Sequence, residues 1–422
     1  MKNQIQAKYS LEEFSNILSV SKETLRRWDK SGKLTANRHP INKHRYYTDK
    51  HITQCTEIGL ISQDNIQQTE YTKPAGNYTT IELFCGAGGL ALGFEQAGLQ
   101  HLLLNDIDKF ACQTLRLNRP KWNIVENDIS KIDFSSFFNS VDVISGGFPC
   151  QAFSYAGKKM GFNDARGTLF FEYARAIKEV QPKICIAENV KGLLNHENGK
   201  TLEGMLSIIE SLGYTVKEPR VLNAVNYGVP QKRERLLIVA IRKDINIDFT
   251  YPIPCKKTYT LKDALKKGTL FQSDVPKSEG QKYPARKKEI LDMVPPGGYW
   301  RDLPLQQQKE YMLKSYYLGG GKTGMARRIS WDEPCLTLTC APAQKQTERC
   351  HPEETRPFTI REYARIQTFP DEWIFSGTMT NQYKQIGNAV PVTLAKKIGL
   401  AVVDFLNQYY SENCCESTQS IK

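Results

Sequence analysis

Residues 80–98 read TIELFCGAGGLALGFEQAG. The run TIELF is short, apolar and β-prone, as expected of a strand buried on both faces. CGAGG then turns the chain, and LALGFEQAG carries apolar residues at helical spacing. Glycines at a strand-to-helix turn let backbone N–H groups approach a ligand at the positive end of the helix. Such a turn alone only joins two elements, but the next apolar run, LLLND, ends on Asp106 about 20 residues on, where a carboxylate commonly holds ribose hydroxyls. The full GxGxxG fingerprint for a pyrophosphate is missing, so a nucleoside without one fits better. Asp128, in ENDIS after a third strand, is placed to accept an adenine amino group.

The alternation continues downstream. DKFACQTLRLN reads as a helix, VDVISGG as a strand, GTLFFEYARAIKEV as a helix and KICIAENV as a strand. GKTLEGMLSIIESLG and RERLLIVAIR add a helix and a late strand. That order predicts an α/β fold, a doubly wound and mostly parallel sheet with ligands at the carboxyl ends of its strands. This domain is expected over 78–244 and again over 385–410, where VPVTLAKKIGLAVVDFLNQYY forms a helix that packs back on it. Residues 245–384, rich in Lys, Pro, Gly and Tyr over most of their length, lack a clear βα unit and are expected as a smaller inserted domain. Residues 411–422 read as a disordered tail.

Residues 1–56 differ in kind. Leu11, Phe14, Ile17 and Leu18 fall at helical spacing, and Ser21 is expected to cap a second helix that ends at Ser31-Gly32. KHRYYT then reads as a small wing strand. SKETLRRWDKSGKL and HRYY resemble the winged helix-turn-helix of MerR-type regulators, which implies a recognition helix carrying Lys22, Arg26 and Arg27 toward DNA. Residues 57–77 are polar and aperiodic and read as a linker.

The 422 residues are 40% hydrophobic and 24% charged, with a formal net charge of +12. Real cores are expected, and the positive excess favours a polyanionic partner. The eleven cysteines follow no disulfide framework. Cys335, Cys340, Cys350 and His351 cluster without a CxxC pair, so no metal site is expected. No apolar run approaches the roughly 18 residues of a membrane span, and a cytoplasmic location is expected.

One loop, SGGFPCQAFSYAG at 145–157, puts Cys150 outside any apolar run. With FCGAGGLALGFEQAG, NDID, GGFPCQAFS, ENV, QKRERLL, REYARIQTFPDEW and QIGNAVP in order, the chain resembles the DNA cytosine-5 methyltransferases over 79–242 and 356–400. The resemblance implies S-adenosylmethionine as cofactor, double-stranded DNA as partner, and Cys150 as the nucleophile, with Pro149 shaping its turn. Glu188 would hold a proton at ring nitrogen 3, and Arg235 would fork to the cytosine carbonyl oxygen. Phe84 would face the adenine and Gly86, Gly88 and Gly89 the methionine end. Asp106, where the family usually has glutamate, would take the ribose. Ile107, Asp128 and Ile129 would frame the adenine, and Asn388, Ala389 and Val390 would close the pocket.

A stacked cytosine cannot expose carbon 6 to a thiol, so the base must be flipped out. The loop after Cys150 carries Lys158, Lys159 and Arg166 for phosphates and is expected to close over DNA. In the target-recognition segment, Lys322, Arg327, Arg328, Lys345 and Thr337 are candidate DNA contacts. These features predict a site-specific DNA methyltransferase of a bacterial restriction–modification system, acting as a monomer, with possible dimerisation and operon control through the first domain. The alternatives are a DNA-binding regulator and a tRNA cytosine methyltransferase.

Overall fold

The computed structural model describes residues 8–17, 20, 22–32, 34–39, 44–48, 50, 51, 72–149 and 168–419. Two compact units divide at Tyr71/Thr72. Cys150, Lys158, Lys159, Arg166, the expected cap Ser21 and most of the expected linker lie outside the described residues.

The first unit runs β1 (Lys8–Ser10), α1 (Leu11–Ile17), α2 (Lys22–Ser31), β2 (Asn37–Arg38) and β3 (Arg45–Thr48), its strands ordered β1-β3-β2. Phe14, Leu25, Leu34 and Tyr47 form its core, with the Phe14 and Tyr47 rings stacked 4.2 Å apart. Asp29 fastens α2 to the wing. Its carboxylate accepts from the Ala36 amide at 2.9 Å, Arg38 at 2.7 Å and Arg45 at 2.6 Å. Burial opposes that charge, but the Ala36 and Arg45 hydrogen bonds prevail and hold its pKa below the ordinary value.

In the second unit, β4 (Thr79–Leu83) leads to α3 (Gly89–Ala97), β5 (Gln100–Asp106) to α4 (Lys109–Asn118), and β6 (Ile124–Glu126) to β7 (Val143–Gly146). There follow α5 (Leu169–Val180), β8 (Ile184–Val190), α6 (Lys200–Ser211), β9 (Tyr214–Val216), β10 (Arg220–Asn223), β11 (Gln231–Lys232) and β12 (Glu234–Arg242). The main sheet is ordered β10-β12-β8-β7-β4-β5-β6, with β9 also on β12. Strands β4 to β8 pair in parallel, and β12 lies antiparallel to β8. This is the expected doubly wound sheet. Ile81, Leu83 and Ile144 face α5 and α6, while Val143, Ile184 and Ile186 face α3 and the last helix.

Beyond β12 come α7 (Leu261–Leu265), α8 (Ala285–Asp292), α9 (Leu305–Met312), β13 (Cys335–Leu336), α10 (Ile360–Ile366), α11 (Met379–Asn388) and α12 (Val392–Gln419). Tyr283, Leu291, Trp300 and Met312 make a local core. Leu338, Phe358 and Trp373 instead share a core with Ala91 of α3 and Leu115 of α4, so packing is continuous across the expected 244/245 boundary.

Two expectations change. Residues 72–77, assigned to the linker, are tied to α12, where Thr72 Oγ1 donates to Asp404 at 2.6 Å and the Ala75 amide to Asn407 at 2.9 Å. The tail from 411 is helical through Gln419, since no glycine or proline after Gly399 breaks α12. Among the described residues no helix is long and apolar enough to cross a membrane.

Candidate active site

The candidate site lies where β4, β5, β7 and β8 end. After β4, Phe84 (φ 57°), Gly86 (φ 52°) and Gly88 (φ 82°) are left-handed, which folds the turn back toward the sheet and opens α3 at Gly89. At Gly89 an added Cβ would lie 2.2 Å from the Val390 carbonyl oxygen, so only glycine lets the 388–390 segment sit against this helix start. Asp106 closes β5. Its carboxylate accepts from the Gly86 amide at 2.7 Å and the Asp108 amide at 2.8 Å, fixing the turn to the strand end. Burial nevertheless raises the Asp106 pKa, against the hydrogen bonds from Asp108 and Gly86. Ile107 beside it is 72% exposed, an apolar face left open among the described residues.

From β7 the chain passes Gly147, Phe148 and Pro149. An ideal Cβ on Gly147 would lie 3.0 Å from Glu188 Oε2, so this loop runs directly along the Glu188 carboxyl. Phe148 is buried against Phe170 and Tyr173, and its carbonyl accepts from Asn189 at 2.9 Å. Glu188, near the end of β8, forms an ion pair with Arg235 of β12, Nε to Oε1 at 2.6 Å, and each side chain is 12% exposed. Burial raises the Glu188 pKa, while Arg235 and Arg233 pull it back. The antiparallel register sets Leu237 opposite Glu188 and Arg235 opposite Val190, which brings the guanidinium level with the carboxyl.

Residues 78–404 match the C-5 cytosine-specific DNA methylase family. The chain belongs to that family. Residues 9–59 match the MerR HTH family of regulatory proteins. The chain is 63% identical over 409 residues to the type II methyltransferase M.Eco47II of Escherichia coli, covering 96% of this chain and 98% of that protein. It is 54% identical over 395 residues to the type II methyltransferase M.PspPI of a Psychrobacter strain, covering 93% and 95%. The Entamoeba histolytica methyltransferase EhMeth shares the fold, with TM-score 0.54 and 17% identity over 78% of this chain and 99% of that one. This chain is therefore a DNA (cytosine-5) methyltransferase, a DNA-binding enzyme whose methyl donor is S-adenosylmethionine.

The strand ends of the methylase suit that donor. Glycine turns, a half-buried carboxylate and the bare face of Ile107 supply backbone donors, an anion and an apolar wall for a nucleoside. Asp128 is half-buried, and its carboxylate already accepts from the Ser130 amide and hydroxyl at 3.0 and 2.9 Å. Ile129 is packed into the core. Asn388 accepts from the Cys340 thiol at 2.9 Å.

The DNA candidates fare unevenly. Arg27 is exposed, while Lys22 pairs with Glu12 and Arg26 with Glu23. Thr337 donates to the Lys232 carbonyl at 2.7 Å, and Lys322 donates to the Ser315 and Leu318 carbonyls. Arg327 lies 3.6 Å from Glu333, and Lys345 sits over the Tyr311 ring. Arg328 requires correction. It is buried, and its guanidinium donates to the carbonyls of Val294 at 2.6 Å, Leu291 at 2.7 Å and His351 at 3.1 Å. It braces this part of the chain and cannot present its charge to a phosphate. Among the described residues no group of His, Cys, Asp or Glu is arranged to hold a metal.

Sequence reasoning missed Gln231 and Arg233, both fully buried. The signal was present in QKRER, where alternate residues of an extended chain share one side.

Proposed function

We propose that this methylase is the modification enzyme of a bacterial type II restriction–modification system and methylates carbon 5 of a cytosine flipped out of duplex DNA. The relatives named as type II methyltransferases support the biological setting. The observation that carries the chemistry is the Glu188–Arg235 pair, with the loop leading to Cys150 running along its carboxyl.

Carbon 5 of cytosine is a weak nucleophile. In this reading the Cys150 thiolate adds to carbon 6, and the carbon 5–carbon 6 electron pair becomes available at carbon 5. Glu188, whose acid form burial favours, supplies the proton that neutralises ring nitrogen 3. Arg235 orients the base through its carbonyl oxygen. S-adenosylmethionine supplies an electrophilic methyl group, held by the turn at 84–89, Asp106, Ile107 and the 388–390 segment. Loss of the carbon 5 proton to water then lets the thiolate leave, and return of the nitrogen 3 proton to Glu188 restores the neutral aromatic ring.

Residues 245–384 are assigned to target recognition and the loop after Cys150 to closure over DNA. The enzyme is proposed to act as a cytoplasmic, nucleoid-associated monomer. Its first unit is proposed to bind operator DNA and to provide any dimer contact.

The test reads 5-methylcytosine in DNA from cells expressing the chain, alongside tritium transfer to duplex DNA and to tRNA. One short duplex sequence methylated throughout is expected. Absence of 5-methylcytosine, or transfer to tRNA alone, would contradict the proposal.

A further inference from the structure

The QKRER segment joins three regions. Gln231 Oε1 accepts from the Leu338 amide at 3.0 Å, and Arg233 Nη1 donates to the Leu338 carbonyl at 3.0 Å. Both polar groups of one residue in the segment assigned to target recognition are thus held by this strand. Arg233 Nη2 donates to the Gly387 carbonyl at 2.7 Å, at the end of α11. Gln231 Nε2 donates to Gln367, 2.8 Å away, and Gln367 in turn donates to the carbonyls of Ile386 at 2.7 Å and Ala389 at 3.1 Å. The segment that closes the cofactor pocket is therefore fastened to the same two side chains.

Direct packing reinforces the link. An ideal Cβ on Gly387 would lie 2.7 Å from the Thr339 carbonyl, so the two backbones touch. Arg233 also lies within the electrostatic reach of Glu188 and Arg235, and its Nε, fully buried, has no hydrogen-bond partner among the described residues. A guanidinium can serve two carbonyls at a fixed angle, which a lysine ammonium on a flexible stem cannot reproduce. Any displacement of Leu338 or of Gly387 must move Arg233.

We propose that Arg233 is a positioning residue that makes closure of the cofactor pocket and seating of the recognition strand one event. It rests on the site assignment above. Cofactor binding fixes 387–390 and, through Arg233, Leu338; DNA binding acts in the reverse direction. Thermodynamic linkage requires the two effects to be equal.

The experiment has two arms, both using the full-length chain and S-adenosylhomocysteine as probe. In the first, hydrogen exchange of residues 335–340 in the wild type is followed with the probe alone; slowing of about fivefold or more is expected from typical couplings. In the second, the Kd for duplex carrying the methylated site is measured with and without the probe. The wild type should tighten by about 5–150-fold, and Arg233→Lys should lose most of that factor. A purely structural role would lower the Tm of Arg233→Lys and leave the factor intact.

Unchanged exchange at 335–340, or an undiminished factor in Arg233→Lys, overturns the proposal. If that variant does not fold, the wild-type exchange decides alone. Failure of the wild type to methylate DNA would instead overturn the site reading beneath it.

Discussion

Glu188 shows how burial and a neighbour divide the control of one proton. Burial favours the acid form, and Arg235 at 2.6 Å limits that effect. Because the carboxyl titrates above its ordinary value, the acid is depleted as pH rises through that raised pKa. The single-turnover methylation rate should fall on this limb, and Glu188→Gln should abolish that dependence. The same variant should lower the rate by about 10²–10⁴-fold, as expected for loss of a general acid, while S-adenosylhomocysteine binds as before. Arg328→Ala should destabilise the fold by about 2–5 kcal/mol, since it orphans buried carbonyls and leaves a cavity. A urea titration measures that loss. The salt dependence of DNA binding should not change, whereas a lost phosphate contact would lower its slope by about one unit. Glu188 and Arg235 were legible because their motifs fix them to strand ends. Arg328 was not, since two adjacent arginines in MARR give no sign of which turns inward.

Helix α3 opens at the glycine turn proposed to hold the cofactor and is held from three sides. An ideal Cβ on Gly93 would lie 2.3 Å from the Ala395 Cβ of α12, so Gly93→Ala should cost about 1–3 kcal/mol by overpacking. A lowered Tm checks this. At Ala91, the amide donates to the buried Glu82 carboxyl of β4, and the carbonyl accepts from His101 Nε2 at 2.9 Å. Burial drives the His101 pKa down to about 4, so the neutral ring is the donor. Burial also raises the Glu82 pKa well above 4.5. A group raised in the folded state contributes fully below its unfolded pKa and loses that contribution as pH rises through the folded one. Glu82→Gln, neutral at every pH, should gain on the wild type from pH 5 to pH 9 in urea midpoints. A constant difference would contradict this. The parallel strands and their helices were legible because strands buried on both faces read as continuous apolar runs. The wing sheet was legible only in β3, because β1 and β2 span three and two residues, too short for a periodic pattern.

At the scale of the molecule, the chain combines an N-terminal unit similar to the MerR HTH family with a methylase unit that has its own cores. Removing residues 1–71 retains the Thr72–Asp404 bond that ties the new terminus to α12. Methylation should persist within about threefold of the full chain, because no core of the second unit is disturbed. Binding to operator DNA should be lost. A folded but inactive truncation would assign the first unit to catalysis. This two-part division was legible from the polar stretch between two patterned regions. The smaller inserted segment was only partly legible, because Leu338, Phe358 and Trp373 pack with the helices of the sheet and composition does not record that contact. The account rests finally on a sulfur–carbon bond to the target base. Duplex DNA with 5-fluorocytosine at the target position, incubated with the enzyme and S-adenosylmethionine, tests it directly. A denaturation-resistant protein–DNA adduct is predicted for the wild type and none for Cys150→Ala; an adduct formed equally by Cys150→Ala would contradict the account.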